Sequence, residues 1–109
     1  MIGEHMPETE FDRLKQEIHS FAQEHDWEKF HTPKNLAMAV SGEAGELAAE
    51  FQWLTPEESA VQSLSKDKLR AISYEIADVQ IYLLRLADVL NIDVPNAVRE
   101  KMLINEKRF

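Results

Sequence analysis

Apolar residues recur every three to four positions in four long stretches of this chain, and no strand-like alternation of apolar and polar positions is sustained. A first helix is predicted from about Glu8 to Glu24, with Phe11, Leu14, Ile18 and Phe21 on one face. His25 to His31, carrying Trp27 and Phe30, reads as a connector. Thr32-Pro33 gives the second helix an N-cap and a proline at its first position. That helix is expected to run to about Leu54, with Leu36, Val40, Leu47, Phe51 and Leu54 on its apolar side. Thr55-Pro56-Glu57-Glu58 has the capping-box pattern and predicts a short helix to about Leu64. Ser65 caps a third helix, from about Lys66 to Leu90. Asn91-Ile92-Asp93 is a break, and Asp93 or Val94 with Pro95 opens a fourth helix ending near Lys107. The fold class expected is all-α, a four-helix bundle.

The third helix is the most regular. Leu69, Ile72, Ile76, Val79, Leu83, Leu86 and Leu90 form a seam, while Ala71, Ala77, Ile81, Leu84 and Ala87 fill its other sides. A helix apolar nearly all round needs cover on several sides. Four short helices supply too little, so a homodimer or homotetramer is expected, with helices two and three at the subunit contact. Phe30 is read as core. Residues 1–7 read as a disordered leader and 8–109 as one helical domain.

Two acidic pairs interrupt these apolar stretches: Glu43-Ala44-Gly45-Glu46 on helix two and Glu75-Ile76-Ala77-Asp78 on helix three. Residues three apart share a helix face. Glu43 lies in line with Leu36 and Leu47, inside the apolar stripe. Neither pair has a basic partner four residues on: Leu47 and Glu50 follow the first, Val79 and Tyr82 the second. Solvated carboxylates are common on helices, but unpaired ones in apolar surroundings call for a cation. All-oxygen donors suit a hard divalent ion, and Mg²⁺ on such a site points to phosphate chemistry.

Charge narrows the partners. The 109 residues hold 12 basic and 20 acidic side chains, a net −8. That disfavours a nucleic-acid polymer or an anionic membrane, both of which need a basic footprint. Positive charge gathers near Lys101, Lys107 and Arg108. There is no cysteine, hence no disulfide or thiolate chemistry. No apolar run is long enough to span a bilayer, and no secretory leader pattern opens the chain, so a cytoplasmic location is expected.

Taken together, the residues resemble the all-α nucleoside triphosphate pyrophosphohydrolases, the MazG-like superfamily, and within it the dCTP pyrophosphatase branch. The likeness runs from about Phe11 to Phe109. It is carried by Asp26-Trp27-Glu28-Lys29-Phe30-His31, Pro33-Lys34-Asn35-Leu36, Gly42-Glu43-Ala44-Gly45-Glu46-Leu47, Phe51-Gln52-Trp53, Ile81-Tyr82-Leu83 and Lys101-Met102, with Asn105 and Arg108 beyond. One departure is that the branch often continues into a proline-containing tail past the position of Phe109. The resemblance implies hydrolysis of a dCTP-like nucleoside triphosphate, modified ones included, to the monophosphate and pyrophosphate. It implies Mg²⁺, with Mn²⁺ as substitute, on Glu43, Glu46, Glu75 and Asp78. Glu43 and Glu46 are the candidate catalytic residues, Glu46 as the base that takes a proton from water.

Aromatic faces stack on nucleobases, and by resemblance Trp27, His31 and Trp53 match base-pocket positions. Tyr82, Lys101, Asn105 and Arg108 match positions near phosphates; the last three recur on one face of helix four. Lys34 and Asn35 are lesser candidates, and Arg85 fits an ion pair. His5, His19 and His25 carry no signal. Two other readings compete. A di-iron carboxylate bundle wants two Glu-x-x-His motifs, whereas only Glu28-Lys29-Phe30-His31 occurs. A non-catalytic helical oligomerisation or adaptor module would use the helix-three seam and turn over no nucleotide.

Overall fold

The computed structural model describes residues 8–108; the leader read at residues 1–7 lies outside them. Among the described residues every regular element is helical: α1 (Glu10–Glu24), α2 (Pro33–Ala49), α3 (Lys66–Val89) and α4 (Val94–Arg108), with single 3₁₀ turns at Glu28–Phe30 and Val61–Ser63. The caps explain the starts. Thr9 and Asp12 form a reciprocal capping box on α1, each side chain reaching the other's backbone N–H at 3.1 Å. Thr32 Oγ1 accepts from the Asn35 N–H at 3.1 Å, and Ser65 Oγ from that of Lys68 at 3.0 Å. Asp93 Oδ1 does the same for Asn96 at the start of α4.

Two helix ends share one device. Asp26 and Asn91 adopt left-handed backbone, φ 55° and 56°, which Asp and Asn tolerate better than most residues. Each allows a Schellman closure: Trp27 N–H reaches back to Ala22 C=O, and Ile92 N–H to Ala87 C=O, both at 2.8 Å. The first of these turns Trp27 back against α1, where its ring meets Phe21 edge-on at 5.4 Å.

The chain between α2 and α3 departs from expectation. Helix α2 stops at Ala49, not Leu54. Beyond it the bonds tighten to three-residue turns, with Phe51 N–H to Ala48 C=O at 3.0 Å and Leu54 N–H to Phe51 C=O at 2.9 Å. Thr55, before Pro56, avoids helical backbone, which bars the helix from passing Leu54; the tightening itself starts earlier, at Glu50 and Phe51. Trp53 therefore sits on a turn. The capping box at Thr55 and Glu58 forms (2.8 and 3.1 Å), yet no helix follows it. Ser59 Oγ donates to the Pro56 carbonyl at 2.7 Å, and Ala60 is extended before the 3₁₀ turn. A side chain that bonds its own turn competes with propagation, and so short a segment gains too little to resist.

Helix α3 is central: α2 packs along it and α1 lies against it, while α4 makes only sparse contact with the rest. The core is thin. Ala22, Leu36, Ile72, Leu84 and Ala87 are the buried apolar residues among those described, Leu36 at 1% exposure. The radius of gyration is 17.1 Å, against about 13 Å for a compact chain of this length. Leu69, Ile76, Ile81, Leu83 and Leu90 of the α3 region are partly open to solvent, and Val98, Met102, Leu103 and Ile104 of α4 more so. Phe30, expected in the core, is 59% exposed, with the Lys29 ammonium 5.3 Å from its ring centre. The 3₁₀ turn projects it outward rather than toward α3.

Candidate functional site

The packing of α2 on α3 brings the two acidic motifs face to face. Ligand oxygens of Glu43, Glu75 and Asp78 all lie within 4.8 Å of one another. Glu75 is the central member. Its Oε2 is buried and has no hydrogen-bond partner. Burial pushes its carboxyl above the ordinary carboxylate range, and the charges of Asp78, Glu46, Glu43 and Glu50 push further. Glu46 is thus near enough to be felt, though it stands outside the closest group. Glu50 has its own answer: Lys68 Nζ reaches its Oε1 at 2.8 Å. Eighteen residues separate that pair, too far for any local motif to reveal it. An orphaned oxygen among all-carboxylate donors fits a hard divalent cation and suits no softer metal. No histidine joins this group among the described residues, and His31 is engaged elsewhere, which leaves the di-iron reading without the histidines it calls for.

Beside the carboxylates opens a cavity of about 410 Å³. Ile18, Phe21 and Ala22 of α1, Trp27 and His31 of the connector, and Ile81 of α3 give it largely apolar walls; Asp78 and Tyr82 lie at the α3 side. Phe21 stacks on His25 with centroids 4.2 Å apart, which backs the wall that Trp27 completes. Asp78 belongs to both the carboxylate group and this cavity, so the two are one continuous site. His31 accepts at Nδ1 from Arg85 Nε at 3.1 Å. Burial, and then the Arg85 charge, holds its pKa below the ordinary imidazole value, with Glu28 acting the other way.

Of the residues predicted to hold substrate, Trp27, His31 and Tyr82 line this cavity. Trp53 does not; it stands 86% exposed on its turn. Lys101, Asn105 and Arg108 lie on α4, away from the cavity lining. Asn35 holds the connector, its side-chain amide donating to the Phe30 carbonyl at 3.0 Å. Sequence reasoning passed over Ile18, Phe21 and Ile81 as pocket walls because apolar residues at helical spacing read as core. It passed over His19, whose Nδ1 lies 2.9 Å from Arg85 Nη1, because nothing local marks a partner 66 residues away. A second, larger and more polar hollow, about 780 Å³, lies on the other side of His31 and Arg85, between the start of α1 and Asp88.

Comparison with known proteins bears on the family and the fold. The model of the MazG-like family matches residues 38–109. The chain belongs to the MazG-like family. A pyrophosphatase from Archaeoglobus fulgidus DSM 4304 superposes with a TM-score of 0.85 at 36% identity, over 98% of both chains. dCTP pyrophosphatase 1 of Homo sapiens is 44% identical over 103 residues, 94% of this chain and 61% of that protein. The Bos taurus protein of the same name is 46% identical over 89 residues, 82% of this chain and 53% of that protein. The chain thus spans about three-fifths or less of the length of these curated relatives. No helix among the described residues is long and apolar enough to cross a membrane.

Proposed function

We propose that this MazG-like chain hydrolyses dCTP-like nucleoside triphosphates, modified ones included, to the monophosphate and pyrophosphate. The observation that carries the reading is the partnerless Glu75 oxygen in the group that Glu43 and Asp78 complete, with Asp78 also lining a cavity walled by Trp27. The names of its relatives, pyrophosphatase and dCTP pyrophosphatase 1, support the same reaction. Glu43, Glu75 and Asp78, with Glu46 at their edge, would hold Mg²⁺, with Mn²⁺ as substitute. Once bound, the ion supplies neutralisation of triphosphate charge and acidifies a water. The chain's own residues do the rest. Trp27 stacks on the base, His31 offers it a hydrogen-bond donor, and Tyr82 stands where the cavity meets the carboxylates. Glu46, outside the closest ligand group, takes the proton of the attacking water. Glu46→Gln with near-normal kcat and intact Mg²⁺ binding would remove it from that role.

We further propose a homodimer or dimer of dimers. Exposed apolar positions on α3 and α4, the thin core and the open shape all call for a second copy. Trp53, Lys101, Asn105 and Arg108 lie apart from the cavity of their own chain, so a neighbouring copy would bring them to a site. The outward faces of α2 and α3 supply the contact. A nucleotide-pool reaction belongs in the cytoplasm with its substrates. The reaction is tested by its products: dCTP incubated with the protein and Mg²⁺ should give dCMP and pyrophosphate in equal amounts by anion-exchange chromatography. dCDP and orthophosphate would overturn the proposal.

A further inference from the structure

Arg85 plays no part in the reaction described above, yet among the described residues it is the charged one that the fold buries, at 5% exposure. A desolvated guanidinium persists only when its donors are answered. Nε donates to His31 Nδ1 at 3.1 Å. Nη1 approaches His19 Nδ1 at 2.9 Å and Asp88 Oδ2 at 3.3 Å. The side chain therefore ties α3, which floors the cavity, to the connector that walls it, 54 residues away.

The bond to His31 has a chemical consequence. A guanidinium has donors and no acceptor, so Nδ1 of His31 must accept. A neutral imidazole that accepts at Nδ1 carries its proton on Nε2. An imidazolium could not accept at all, and Arg85 opposes it by charge. The other charged and titratable groups around the pair are Glu28, whose Oε1 lies 3.3 Å from His19 Nδ1, with His19 and Asp88 themselves, and Glu17, Asp78 and Tyr82, which line the cavity beside the pair. None of them donates to His31 Nδ1 in place of Arg85.

We propose that Arg85 is a positioning residue for the base subsite: it locks His31 as the Nε2–H tautomer, so that the cavity selects a base presenting an acceptor edge. The discriminating atom is N3, a bare acceptor in cytosine and N3–H in thymine; O2 accepts in both bases. The inference rests on the reading that the Trp27–His31 cavity takes the base.

The test joins spectroscopy to kinetics. In the unaltered protein with ¹⁵N-labelled histidine, long-range ¹H–¹⁵N correlation should show His31 bare at Nδ1 and protonated at Nε2. Arg85→Met keeps the stem and removes the donors. It should leave His31 a mixture of tautomers and raise KM for dCTP on the order of tenfold, the worth of one lost oriented hydrogen bond, with kcat changed less than about twofold. Arg85→Lys should recover part of the loss. Arg85→Met with His31→Ala should be no worse than His31→Ala alone. An Nδ1–H or mixed tautomer in the unaltered protein overturns the inference even if Arg85→Met fails to fold. So does additivity in the double variant, or a normal KM in Arg85→Met beside a raised one in His31→Ala. A normal KM in His31→Ala overturns the base-pocket reading itself, and the inference with it, whatever tautomer is seen.

Discussion

Replacing Glu75 by Gln should stabilise the metal-free protein and sharply reduce its stabilisation by Mg²⁺. The substitution keeps the shape and removes one charge. Three like-charged neighbours within 4.8 Å then become two, so three repulsive pairs fall to one. The pH dependence follows from the raised pKa of Glu75. Between the ordinary carboxylate value near 4.5 and the higher folded value, the folded state holds a proton that the unfolded chain has released. Stability therefore falls as pH rises through that window and stays reduced above it. Glu75→Gln cannot ionise, so with EDTA present it should unfold at higher temperature than the unaltered protein at neutral pH. Added Mg²⁺ should reverse the order. At about 100 times its dissociation constant a ligand adds about 2.7 kcal/mol to the folded state, roughly 10–20 °C in Tm for a chain of this size. The variant should gain far less. Thermal melts by circular dichroism, with EDTA and across a Mg²⁺ titration, measure both arms. A Tm below that of the unaltered protein in EDTA, or an equal gain with Mg²⁺, would refute the reasoning.

Other consequences follow from the same geometry. Trp27→Ala should raise KM for dCTP about tenfold or more, since a stacked base is worth roughly 1–3 kcal/mol; unchanged steady-state KM would place the base elsewhere. His31 titrates below its ordinary value near 6.5, so the unfolded chain takes up a proton that the fold excludes, and stability should fall as pH drops through that window. Urea midpoints on either side of that value should show this for the unaltered protein and less for His31→Gln. Leu83→Asp, on the partly exposed side of α3, should lower the mass measured by light scattering to that of a smaller species with helix content retained; an unchanged mass would take that side of α3 out of the subunit contact.

The helix starts were legible because each rests on a local device: Thr32-Pro33, Ser65 and Asp93 cap through residues three positions away. The acidic pairs were legible for the same reason, since Glu43 and Glu46, and Glu75 and Asp78, share faces by helix geometry alone. What escaped were outcomes of competition. The pattern Leu47, Phe51, Leu54 favours a longer α2, but beyond Ala49 the backbone bonds tighten to three-residue turns, Phe51 to Ala48 and Leu54 to Phe51. Thr55 and Glu58 form their box, yet Ser59 stops the turn that should follow. Long-range partners escaped too: Lys68 with Glu50, and Arg85 with His19 and His31. Phe30 was misjudged because hydrophobicity says that a ring seeks cover, not which way a 3₁₀ turn will aim it.

The central claim is that the Glu43–Glu75–Asp78 group serves nucleoside triphosphate hydrolysis. It is tested most directly by pyrophosphate release from a panel of NTPs and dNTPs, 5-modified dCTPs included, with and without Mg²⁺, beside Glu43→Ala. The account predicts metal-dependent release, greatest with dCTP or its derivatives and lost in Glu43→Ala. Release that persists in Glu43→Ala, or none from any nucleotide with Mg²⁺ present, would contradict it.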